Sequence, residues 1–192
     1  MTLLILGLLL FLGAHSVRIV ADDWRTRTIA RLGGGAWKGA YALVSAVGFG
    51  LIIWGYGLAR QEPVPLWTPW VGGRHLASLL TLIAFILLAA AYVPGNGIRA
   101  KLGHPMVLGV KVWALAHLLA NHTLADLLLF GSFLVWAVLD FRSARRRPAP
   151  VVGSTSGVRT ALAVVIGLLA WAGFAMWAHG AWIGVRPFGP GA

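Results

Sequence analysis

Six stretches of apolar residues, each near the roughly twenty that carry a helix across a bilayer's hydrocarbon core, constrain this chain more than any other feature. They run over Thr2–Ile19, Gly39–Leu58, His75–Tyr92, Pro105–Leu119, Leu124–Phe141 and Arg159–Ile183. The fourth carries Lys111, and the fifth is bounded by Asp126 and Asp140. The fold class expected is all-α, a polytopic transmembrane bundle of about six helices. Composition agrees: 59% of the residues are hydrophobic and 11% charged, about half the charge of an ordinary soluble domain, which excludes a water-soluble enzyme. No long polar, Ser-rich or acidic stretch leaves room for a separate extramembrane domain.

Charge orients the spans. With the N-terminus outside, the inside loops hold Arg18, Arg25, Arg27, Arg31 and Lys38, then Arg99 and Lys101, then Arg142, Arg145, Arg146, Arg147 and Arg159. Only Arg60, Arg74 and Arg186 fall outside, so the positive-inside rule places both N- and C-termini outside. Trp67, Trp70, Trp177 and Trp182 then lie at the outer boundary, and Trp24 and Trp37 at the inner one, as interfacial anchors. The formal net charge of +11 reads as loops on anionic lipid, with the bilayer and no nucleic acid as partner. The first stretch lacks a basic region before it and a small-x-small cleavage site after it, so it reads as a retained helix. The division expected is a five-helix membrane unit over 1–141, a basic cytoplasmic linker over 142–158, and a sixth helix with a Gly/Pro tail over 159–192.

Chemistry has few places to reside. Without cysteine there is no disulfide, thiolate metal site or iron–sulfur cluster, so the six histidines are the candidates. His15 lies roughly 20 Å into the first helix, and His104 opens the fourth from the same side, putting both at the inner level. His75, His117, His122 and His179 fall at the outer level. An inner pair suits the two axial nitrogens of a haem, whereas the simpler reading of any one histidine near a helix end is an interfacial, hydrogen-bonded residue. His104 and Lys111 share a face of their helix, as do His15 and Arg18, so Arg18 and Lys111 can neutralise propionates. Snorkelling to the surface is the other reading of both, with pairing to Asp140 a further one for Lys111. Asp126 reads as a cap of its helix, or as a partner that orients His117.

Two segments carry a resemblance: Gly13-Ala14-His15-Ser16-Val17-Arg18, and Leu102-Gly103-His104-Pro105-Met106 continuing through Lys111-Val112-Trp113-Ala114-Leu115-Ala116-His117-Leu118-Leu119-Ala120-Asn121. They resemble the NnrU family of bacterial membrane proteins over nearly the whole chain. That family is named for an association with nitrogen-oxide metabolism in denitrifying bacteria, and it is similar to the haem-dependent zeta-carotene isomerase. The resemblance implies haem b, with His15 and His104 as the axial metal ligands and His117 the next candidate. His122 departs from the family pattern and falls at the periphery. The expectation is a multi-pass protein of the bacterial inner (cytoplasmic) membrane that binds haem b through His15 and His104, with Arg18 and Lys111 beside it. It would serve nitrogen-oxide metabolism, with cis–trans isomerase-like chemistry as one form and a redox partner or respiratory complex as its associate. The alternatives are a non-catalytic scaffold or assembly factor for such a complex, and an electron conduit with a second haem on the outer histidines. The His-Pro start of the fourth helix also resembles S-adenosylmethionine-dependent membrane methyltransferases, but Gly103 stands where those have Arg, and their Glu-Glu motif is missing.

Overall fold

The computed structural model describes residues 1–68, 70–147 and 153–188. Among them the chain forms eight α-helices and no strand: α1 (Thr2–Val20), α2 (Asp22–Leu32), α3 (Gly34–Ala59), α4 (Gly73–Tyr92), α5 (Gly97–Leu102), α6 (Pro105–Ala120), α7 (Leu124–Arg145) and α8 (Gly157–Gly173). A π-helical segment, Phe174–Ile183, extends α8. Five helices are long and apolar enough to cross a membrane, namely α1, α3, α4, α7 and α8 with its extension, while α6 is a shorter apolar helix. The expected helical membrane bundle is therefore what the chain forms. Each expected span falls on a helix, and the loops hold two further short helices, α2 and α5.

Contacts divide the chain into two compact units, Met1–Thr68 with Asn121–Ser143, and Pro69–Ala120 with Ala144–Ala192. The first holds α1, α2, α3 and nearly all of α7. Here α1 and α3 run antiparallel at backbone contact, because Gly48 and Gly55 of α3 face Phe11 and Leu4 of α1, and Gly7 of α1 faces Ile52 of α3. A Cβ on Gly7 would stand 2.6 Å from the Ile52 backbone nitrogen. Lipid supplies no hydrophobic force between spans, so this close approach and its dispersion contacts are what hold the pair together. At the far end of α3, the loop at 64–66 runs beside the start of α7: Leu66 N donates to the His122 carbonyl and Leu124 N to that of Val64, both at 2.8 Å.

In the second unit, α4 is the centre, packing on α6 and α8 through small residues. Ala84, Ala90, Ala114, Ala116 and Ala163 are fully buried. Gly167 of α8 rests on the Ile86 backbone of α4. The turn after α4 is built on Asn96, 1% exposed, whose side-chain oxygen accepts from Arg99 N at 2.8 Å to cap α5. The last helix is tied to the same turn: Gly97 N donates to Thr160 Oγ1 and Ser156 N to the Gly95 carbonyl. Trp171 Nε1 adds a bond to Thr81 Oγ1. Of the segment expected as a linker, α7 takes up residues to Arg145, and 148–152 lie outside the described residues. The end of the Gly/Pro tail, 189–192, does so too.

Candidate functional site

His15 sits in the last third of α1, half-buried in the first unit. Its Nδ1 lies 2.7 Å from the Phe11 carbonyl one turn back. A carbonyl oxygen only accepts, so Nδ1 carries the hydrogen, which leaves Nε2 as the nitrogen turned away from the helix's own backbone. Aromatic rings fix the imidazole plane. Phe11 stacks on it with centroids 4.1 Å apart, Tyr41 of α3 stands at 5.1 Å, and Trp136 of α7 meets it edge-on at 5.9 Å. This is the second-atom bond and rigid setting that metal-ligating histidines use.

Trp136 also forms part of an apolar groove of about 480 Å³, lined with it by Ser16, Leu127, Leu128, Gly131, Ser132, Val135 and Leu139. Its Nε1 is buried and makes no hydrogen bond. Arg18, one turn beyond His15, is exposed. An imidazole with Nε2 left for a ligand, an adjoining apolar groove and a nearby guanidinium fit the chemistry of a haem ligand set.

The other expected site residues, His104, Lys111 and His117, belong to the second unit. Gly103, at φ +75°, turns the chain out of α5 in a conformation that side chains resist. His104 follows, with its carbonyl accepting from Leu108 N as α6 begins, and Pro105 takes the first helical position, where its missing N–H costs nothing. Lys111 is half-buried in the middle of α6. His117 repeats the arrangement of His15: Nδ1 is 2.9 Å from the Trp113 carbonyl one turn back, and the Trp113 ring lies 5.0 Å from the imidazole. Among the remaining histidines, His179 Nδ1 donates to the Val185 carbonyl at 2.7 Å, and His75 is exposed at the start of α4.

Asp126, 5% exposed, fulfils the cap reading. Its Oδ2 accepts from both the backbone and the hydroxyl of Thr123, at 2.9 and 2.6 Å, closing the first turn of α7. Its Oδ1 accepts from the Tyr56 hydroxyl at 2.6 Å. Tyr56, Tyr41 and Trp136 were not anticipated. Each comes from another span, and only the Thr-x-x-Asp spacing of the cap left a sequence signal. No group of three or more His, Asp or Glu side chains able to hold a metal ion occurs among the described residues.

The chain matches the family described as NnrU protein over residues 3–187. It belongs to the NnrU family. No curated protein and no solved structure is detectably similar to this NnrU chain. His15, His104 and His117 all fall within the matched residues.

Proposed function

We propose that this NnrU family member is an integral inner-membrane haem b protein serving nitrogen-oxide metabolism, with His15 and His104 as the residues that would hold the haem. The observation that carries the reading is the imidazole of His15: Nδ1 is committed to the Phe11 carbonyl, Nε2 is the nitrogen left for a ligand, and three aromatic rings hold the plane. Haem, when bound, would supply a redox-active iron, open to a small nitrogen oxide only on release of one of the two histidines. The protein's own part is to orient and insulate. Phe11 sets the His15 tautomer, Tyr41 and Trp136 block rotation of the ring, and the leucines of α7 keep water from the groove. Arg18, one turn from His15, and Lys111, two turns from His104, would offer positive charge to carboxylates. His117, with the same committed Nδ1, is the alternative ligand on α6.

The test is an absorption spectrum of detergent-purified protein, oxidised and reduced, with a pyridine haemochrome count. Sharp reduced α and β bands at about one haem per chain are expected. His15→Ala and His104→Ala should each abolish the Soret band in protein that remains helical and monodisperse. Full haem retention in either variant would remove that residue from the ligand set, and a featureless spectrum of folded wild type expressed with ample haem would overturn the proposal.

A further inference from the structure

The short helix α2 lies between two spans, so the chain itself holds it at one membrane face. It packs on α1 and α3 yet buries none of its residues. At 100° per residue, Trp24, Arg27 and Arg31 fall within a narrow arc of the helix. All three are exposed, whereas the half-buried Arg25 and Ile29 lie on the other side.

The acids of α2 do little to neutralise this arc. Asp22 and Asp23 occupy the first turn, where the helix dipole favours them, and Asp22 pairs with Arg25 at 3.4 Å. Among the described residues, Arg27 and Arg31 make no ion pair or hydrogen bond, and Lys38, exposed in the second turn of α3, makes none either. Trp24 meets Trp37 of α3 edge-on at 5.8 Å, which places an amphipathic aromatic pair beside the cations at the end of the span. Indoles favour headgroup depth, and unpaired guanidinium groups there are complementary to phosphate.

We propose that the Trp24–Arg27–Arg31 face of α2, with Lys38 beside it, is a binding surface for anionic phospholipid headgroups. Phosphatidylglycerol is the lipid it should select over zwitterionic lipid. Each basic residue near an anionic surface contributes about five-fold in binding, so the two arginines together are worth roughly 25-fold. The attraction is between exposed charges, so salt weakens it.

The chain has no cysteine, so one substitution gives a single label. Ala30, exposed between the two arginines, is replaced (Ala30→Cys) and labelled with bimane in the otherwise intact protein. The protein is reconstituted in phosphatidylcholine vesicles containing equal small fractions of brominated phosphatidylglycerol or brominated phosphatidylcholine. Quenching should be strongly selective for the brominated phosphatidylglycerol. It should fall in roughly 0.5 M salt, about three times the physiological level, and most of the selectivity should disappear with R27Q/R31Q. Removing two charges elsewhere, with R142Q/R146Q, should leave it intact. Equal quenching by the two lipids would overturn the proposal and leave the face to an acidic protein. Loss of selectivity in R142Q/R146Q would overturn it as well, by assigning the effect to net charge rather than to α2.

Discussion

Asp126 shows what a single buried carboxylate does in this chain. Three donors converge on it, two from Thr123 and one from Tyr56, which is seventy positions away. Asp126→Ala should cost about 2 kcal/mol, since it strands the Thr123 amide and the Tyr56 hydroxyl where little water reaches. Tyr56→Phe removes one bond and leaves the cap, so a loss of about 1 kcal/mol is expected. Thermal unfolding in detergent measures both. The double variant should lose less than the sum of the two, because both remove the same bond; strict additivity would show that the hydroxyl and carboxylate do not act together. Of this cluster, Asp126 was readable as a cap because a cap is a local feature of its own helix start. Tyr56 was not, because nothing in its own span marks which helix its hydroxyl will meet. His15 divides in the same way: its depth came from counting along one helix, whereas its walls come from Tyr41 and Trp136 on two others.

Among the helices, α1 and α3 depend on glycine for their distance. A Cβ on Gly48 would fall 2.7 Å from the Phe11 backbone nitrogen, a position that side-chain rotation cannot relieve. Gly48→Leu should therefore separate the pair and destabilise the protein by about 1–3 kcal/mol, read from denaturant or thermal unfolding in detergent. Gly50→Leu is the control, since a Cβ at Gly50 meets nothing within 4 Å, and it should be nearly neutral. Equal effects would mean that close approach is not what holds the two helices. The helix boundaries themselves were largely legible: α6 was expected over Pro105–Leu119 and runs over Pro105–Ala120, and α7 was expected from Leu124 and starts there. Span-length hydrophobicity is a property of one segment. The helices α2 and α5 were missed because they are too short or too polar for that signal. The π-helical end of α8 was missed because apolar runs read alike whichever hydrogen-bond register they adopt.

For the molecule as a whole, the charge distribution makes an orientation testable. A membrane-impermeant maleimide should label Glu62→Cys, in the loop after α3, from the outer side of spheroplasts, and Thr26→Cys on α2 only after permeabilisation. The reverse pattern would overturn the expected topology and move the basic face of α2 to the opposite leaflet. Grouping by contact also differs from chain order: α7 belongs with α1 and α3, while α8 belongs with α4 and α6.

Helical class and the placement of the apolar segments on helices could be had from the linear order of residues, because bilayer thickness and helix rise convert a run of apolar residues into a helix of span length. Packing could not. In lipid, every span presents a similar apolar surface, so burial does not announce which faces meet. Close approach at Gly7, Gly48 and Gly55, the rings around His15, and the bond from Tyr56 to Asp126 depend on the fit of particular surfaces brought together from distant positions, and that fit exists only once the helices have packed.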